Sequence, residues 1–253
     1  MYMREALGPR RSPTLVLLHG LGATAALNWD GCIPGLAERF RVIAPDHRGH
    51  GRGIRCGGRF RLEDCADDVA ALVRQECRAP VLVAGYSMGG PITQLLCRRH
   101  PDLVAGMILC ATSRDFRGRP SERVRFGAVG LLAQAARYVP PVPALERLGG
   151  MFDRVGRFDN RAWLAAAASL GTFTSREWIH ELYTPATVVV TMQDALVPPR
   201  RQRKLAACLA APVVELDGGH LVPHSDPRAL TDAILFAIER LPRRARRARR
   251  HAA

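Results

Sequence analysis

The sequence predicts an α/β fold: a mostly parallel β-sheet flanked by helices on both faces, with a helical cap inserted late in the chain. Three observations lead there. Short apolar runs rich in Val, Leu and Ile alternate with longer stretches whose apolar residues recur every three or four positions. One run, Val81-Leu82-Val83-Ala84, stops at Gly85-Tyr86-Ser87-Met88-Gly89, a serine set between glycines where a strand turns abruptly into a helix. Residues 113–184 then break the alternation with helix-like segments only.

The elements follow in order. Residues 14–18, 41–44, 81–84, 106–110, 186–191 and 213–216 are short and mainly apolar, as strands buried on both faces are. Helical spacing appears over 33–39, 62–78, 88–99, 200–210 and 227–240. The last of these carries Leu230, Ile234 and Ile238 four apart, an apolar stripe for a core. Pro91 is tolerable near the start of 88–99 because first-turn amides have no intrahelical partner. Residues 113–184 hold Phe126, Tyr138, Phe152, Trp163, Phe173 and Trp178 among alanines and leucines, interrupted by Pro140, Pro141 and Pro143. An insertion of that length between two strands predicts a cap over the sheet. The organisation is thus a core of 1–112 and 185–241, a cap of 113–184, and an Arg-rich tail, 242–253, expected to be disordered.

At 253 residues, 47% of them hydrophobic, the chain is long enough to bury a substantial core. No apolar run approaches the roughly 18 residues of a membrane span, and the first thirteen residues lack the apolar centre of a signal peptide, so the expected location is cytoplasmic. The seven cysteines are scattered without a C-x-x-C pair, which argues for reduced thiols rather than disulfides or a zinc site. The net charge of +14 includes six arginines within 243–250, leaving +8 elsewhere. No nucleic-acid motif accompanies that run, so no specific nucleic-acid partner is expected; a membrane or nucleic-acid surface for the tail is the minor alternative.

A serine hydroxyl needs a base to accept its proton and a third group to orient that base. In open α/β sheets such groups gather beyond the carboxyl ends of strands. Asp194 follows the run 186–191, and His220 follows 213–216 across Gly218-Gly219. Asp115 competes as the acid and His224 as the base, while Asp217 lies too near His220 in sequence to reach under its ring. An oxyanion would need two fixed N–H donors: that of Met88, directly after the serine, and that of Leu21, in the loop after the first strand. Trp29 and Tyr86 are candidates to line the substrate site. His19, within the His19-Gly20 loop, suits packing better than chemistry. His47 and His50 read as loop histidines.

These motifs, together with Asp46-His47-Arg48-Gly49-His50-Gly51 and Val197-Pro198 after Asp194, resemble the α/β-hydrolase fold superfamily over all but the Arg-rich tail. The resemblance implies a serine-nucleophile hydrolase, with the chain order Ser87, Asp194, His220 matching, and a mainly structural role for the Asp46–Gly51 segment. Two departures stand out. The hairpin that usually opens this fold is shortened or missing, and Thr191 stands where the family commonly has glycine three residues before the acid.

The expected activity is hydrolysis of small apolar carboxylic esters through an acyl-enzyme, without cofactor or metal. C–C bond, lactone or peptide hydrolysis on the same fold is the alternative, as is a catalytically silent ligand-binding protein. The cap, rich in Ala, Leu and aromatics, is expected to offer an apolar wall.

Overall fold

The computed structural model describes residues 1–56, 59–117 and 160–242. Strands β1 (Met3–Ala6), β2 (Thr14–Leu18), β3 (Arg41–Pro45), β4 (Val81–Tyr86), β5 (Val104–Cys110), β6 (Ala186–Thr191) and β7 (Val213–Leu216) form one sheet in the order β1-β3-β2-β4-β5-β6-β7. All neighbours run parallel except β1, which lies antiparallel along the edge of β3 with Met3 opposite Pro45. The shortened N-terminal hairpin is therefore a single four-residue edge strand. Nothing in Met3-Arg4-Glu5-Ala6 marks it as a strand; pairing to β3 recruits it, as tertiary context often overrides propensity.

Helices cover both faces. Alternate residues of β2 show why: Val16 and Leu18 join the core beneath α3 (Leu62–Glu76) and α4 (Gly89–Arg99), while Leu15 and Leu17 join that beneath α1 (Ala25–Trp29), α2 (Ile33–Ala37) and α8 (Pro227–Glu239). The predicted stripe of α8 buries Leu230 and Ile234 completely, and Ile238 packs at its margin. Full burial of a side chain of that size contributes about 1.5–3 kcal/mol before its ordering cost is counted. Helix α6 (Pro199–Cys208) packs beside β6 through Leu205 and Ala206, and the single turn α7 (Val222–Ser225) follows β7.

Of the predicted cap, residues 113–117 and 160–184 are described; Phe126, Tyr138 and Phe152 fall outside the described residues, as does 243–253. A bridge between Asp115 and Thr174 ties the outgoing and returning ends. Helix α5 (Asn160–Thr172) turns Ala162, Ala166 and Leu170 inward at successive turns, with Trp163 beside them, its indole against Gly22. Phe173 and Trp178, crossed edge to face, belong to the same core. Between α5, the start of α3 and the end of α4 opens a cavity of about 600 Å³ lined by Phe60, Leu62, Leu95, Arg98, Phe173 and Trp178 among others.

All seven cysteines are free. Among the described residues, no helix is long and apolar enough to cross a membrane.

Candidate active site

Parallel alignment of β2, β4, β5, β6 and β7 sends five loops out of one edge of the sheet, and the polar residues picked out in the sequence meet there. Ser87 sits between β4 and α4 with φ of +51°, a left-handed conformation that costs a non-glycine residue about 1–2 kcal/mol. Its neighbours hold it there. Its N–H donates to the carbonyl of Cys110 at 3.0 Å, and its own carbonyl accepts from the Thr112 hydroxyl at 2.7 Å. The turn requires glycines on each side: a Cβ on Gly85 would strike the carbonyl of Gly89, and one on Gly89 would strike that of Leu18. The outcome is a nearly buried hydroxyl at the amino end of α4.

His220 Nε2 lies 2.9 Å from Ser87 Oγ, and its Nδ1 lies 2.7 Å from Asp194 Oδ2. The structure thus brings Ser87, His220 and Asp194 into one unbroken hydrogen-bonded chain. The Asp194 side chain is fully buried, and its other oxygen, Oδ1, accepts the N–H groups of Leu196 and Val197 at 2.8 Å each. Tyr86, placed among the substrate-lining candidates, donates its hydroxyl to the carbonyl of His220 at 2.9 Å and so anchors the loop bearing the imidazole. Burial, with the nearby Asp194 charge adding to it, pushes the Tyr86 phenol far up, so it stays a donor.

The rivals are accounted for. Asp115 is paired with Arg117 and Arg176. Asp217 accepts from the Gln193 side chain at 2.7 Å, which ties the loop after β6 to the loop after β7. His224 lies in α7. Trp29, the other lining candidate, is wholly buried in the core under α1 and α8, edge-on to Tyr86 at 6.1 Å between ring centres.

Leu21 and Met88 flank the serine from two loops. Gly20, just before Leu21, comes so close that a Cβ there would lie 3.3 Å from that of Ser87. Among the described residues, neither the Leu21 nor the Met88 N–H donates to another group. The Leu21 loop is fixed behind: the Gly20 N–H donates to Asn28 Oδ1 at 3.0 Å, and Thr24 caps α1 by accepting from Leu27. Asp46 accepts from the N–H groups of Ala25 and Arg52, pinning this loop to the one after β3. Arg48 clamps that second loop to α3 through a two-pronged pair with Asp68, both contacts at 2.7 Å.

His19, His47 and His50 form a buried cluster, His19 lying 4.3 Å from His47 and 5.3 Å from His50 between ring centres. His19 Nδ1 donates to the carbonyl of Gly20 and Nε2 accepts the N–H of His47 at 3.0 Å, an arrangement for a neutral ring. Burial lowers His19 to about 4 and His50 to about 3, and drives His47 well down. Among the described residues, no cluster of three or more His, Cys, Asp or Glu is disposed to hold a metal ion.

Sequence reasoning missed three supports: Thr112 behind the serine, Asn28 behind the oxyanion loop, and Gln202 on α6. Only the unusual Thr191 gave a hint of the last.

Comparison with known proteins agrees with the architecture. The profile of the alpha/beta hydrolase family matches residues 15–233. The chain is 36% identical, over 74% of its own length and 80% of the relative's, to the pimeloyl-[acyl-carrier protein] methyl ester esterase of Aeromonas hydrophila. It is 28% identical to the magnesium-chelatase 30 kDa subunit of Rhodobacter capsulatus, across 92% of this chain and 89% of that one. Among solved structures, the enol-lactonase of Burkholderia xenovorans superposes with a TM-score of 0.79 at 26% identity, covering 94% of this chain and 96% of that one. A strand-ordered sheet, a serine on a strained turn and a profile that spans most of the sequence lead to one conclusion: this chain belongs to the alpha/beta hydrolase family.

Proposed function

We propose that this chain is a serine hydrolase that cleaves neutral, apolar carboxylic esters through an acyl-enzyme, without a cofactor. The observation that carries the reading is the chain from Ser87 Oγ through His220 to Asp194, at 2.9 and 2.7 Å. As Ser87 Oγ attacks the ester carbonyl, its proton passes to His220 Nε2 and the carbonyl oxygen becomes an oxyanion held by the N–H groups of Leu21 and Met88. Collapse of that intermediate breaks the C–O bond, and His220 returns the proton to the departing alkoxide. A water, deprotonated by His220, then attacks the acyl carbon; the acid leaves and the serine recovers its proton. Asp194 holds the imidazole in the tautomer that accepts at Nε2 and stabilises its charged form. The names of two relatives, a methyl ester esterase and a lactonase, support acyl transfer as the chemistry.

The substrate class rests on the cap, for which we take residues 113–184, rich in Ala, Leu and aromatics. A wall of that composition favours apolar acyl or alcohol groups.

The test is twofold. A fluorophosphonate probe should label the wild-type protein and leave Ser87→Ala unlabelled and inactive. Across p-nitrophenyl esters from acetate to dodecanoate, kcat/KM should climb by up to about fourfold per methylene until the pocket fills, and matched anilides should lag. Equal labelling of Ser87→Ala would sink the serine mechanism; a flat chain-length response, or anilides cleaved as fast as esters, would sink the apolar-ester assignment.

A further inference from the structure

The carboxylate at the far end of the chain is held by more than the loop it sits on. Three residues upstream, at the end of β6, Thr191 is fully buried with its Oγ1 2.9 Å from Asp194 Oδ2, the oxygen that faces His220. Behind it Gln202, also fully buried on α6, meets Thr191 closely at both ends of its amide: its Oε1 accepts the Thr191 N–H at 3.1 Å, and its Nε2 lies 2.8 Å from Thr191 Oγ1. Gln202 Nε2 also donates to the carbonyl of Val197 at 2.7 Å, within the same acid-bearing turn.

The direction of each proton follows from the donors. The Thr191 N–H fixes which end of the Gln202 amide is oxygen, so the other end is the NH₂. One of its hydrogens serves the Val197 carbonyl. The other points at Thr191 Oγ1, which therefore accepts there and has its single proton left for Asp194 Oδ2. The carboxylate then receives four close donors, Leu196 and Val197 on Oδ1 and Thr191 and His220 on Oδ2, with Gln202 Nε2 farther off, 3.5 Å from Oδ2. Three of the four hold it from its own side, and their sum fixes the plane in which Oδ2 meets His220 Nδ1.

We infer that Thr191 is a positioning residue for this reaction, its hydroxyl aimed by Gln202 so that the buried carboxylate presents one fixed oxygen to His220; the inference rests on the serine-hydrolase reading above. A glycine at position 191 would supply no such donor, and Oδ2 would be left with His220 at 2.7 Å and the long contact from Gln202 Nε2 at 3.5 Å. The arrangement is worth most when the imidazole is charged, because that is when its orientation against the carboxylate matters to the transition state. Hydrogen bonds to charged groups are among the stronger ones in proteins, so the loss should show in kcat.

The test compares Thr191→Val, Thr191→Ser and Gln202→Leu on one p-nitrophenyl ester. Thr191→Val should lower kcat ten- to a hundredfold with KM within twofold, and Thr191→Ser, which keeps the hydroxyl, should return it to within about threefold of wild type. Gln202→Leu, which leaves the hydroxyl unaimed, should cost three- to tenfold in kcat. In an Asp194→Asn background, Thr191→Val should cost nothing further, since the group it positions is already disabled. Wild-type kcat in Thr191→Val, or the same additional loss with and without Asp194, would overturn the proposal. If Thr191→Val does not fold, Gln202→Leu decides: a kcat equal to that of wild type would overturn it. Labelling of Ser87 by the fluorophosphonate separates this failure from that of the reading beneath it, because Ser87-dependent labelling with no Thr191 effect condemns the positioning role alone.

Discussion

Asp194 and Asp115 are both buried carboxylates just past the end of a central strand, and they are held in opposite ways. Asp194, after β6, is surrounded by neutral donors: two backbone N–H groups, a threonine hydroxyl and an imidazole. Asp115, after β5, meets two guanidinium groups, those of Arg117 and Arg176, and accepts the N–H of Arg117 besides. On the serine-hydrolase reading proposed above, the difference separates a carboxylate that can serve an imidazole from one that holds the fold. Neutral donors satisfy the oxygens without cancelling the charge, which stays available to an imidazolium; two arginines spend it. Asp115 instead stitches the segment after β5 to the one around Thr174 and Arg176.

The change that tests this comparison hardest is Asp194→Asn. It preserves shape but offers His220 an amide where a carboxylate stood, favouring the wrong tautomer, and kcat should fall by about four orders of magnitude. Steady-state kinetics on a p-nitrophenyl ester would show it, with circular dichroism confirming an unchanged fold. Activity within tenfold of wild type would return the acid to the open list.

Much of this was legible because the sheet is parallel. Strands buried on both faces are mainly apolar runs, so six of the seven strands announce themselves, while β1, an edge strand of Met-Arg-Glu-Ala, carries no such mark. Fixed strand ends in turn rank the polar residues after them, which is how Ser87, Asp194 and His220 were found. The supports were harder to read. Gln202 looks like an ordinary helix residue, and its value comes only from α6 lying against β6 so that its amide reaches Thr191. Asn28 and Thr112 act in the same way across long sequence gaps. Tyr86 and Trp29 were sorted by side-chain direction, which alternates along a strand and turns with a helix in ways fixed only once the register is known.

The next effect in size concerns stability. The rule that a buried group keeps the form its neighbours can satisfy leaves His19, His47 and His50 neutral, with His19 at about 4 and His50 at about 3. In the unfolded chain each would titrate near 6.5. As pH drops below that value the unfolded state takes up protons while the folded state does not, so the contribution present above pH 6.5 is lost as pH falls toward the folded values. Each imidazole can cost about 1.4 kcal/mol per pH unit across that window. Urea unfolding at intervals from pH 7 to pH 4.5 should show a steep decline. His50→Gln, which removes one proton-binding site, should flatten the slope by about one proton, and an unchanged slope would remove that histidine from the account.

The smallest effect is expected at Asp115. Both arginine side chains that pair with it are about half exposed, 47% for Arg117 and 55% for Arg176, so solvent screens the pairs and each contributes about 0.2–1 kcal/mol. Asparagine keeps an oxygen to accept the Arg117 N–H, leaving only those charge terms to be lost. Asp115→Asn should therefore lower Tm by a few degrees, at about 2–4 °C per kcal/mol for a chain of this size, and leave kcat/KM within about twofold of wild type. Adding salt should shrink the Tm difference between variant and wild type, because screening weakens the ion pairs that only the wild type has. A fall in kcat as deep as that of Asp194→Asn would reverse the two carboxylates' roles, since a group whose charge is already committed to arginines has none to lend to His220.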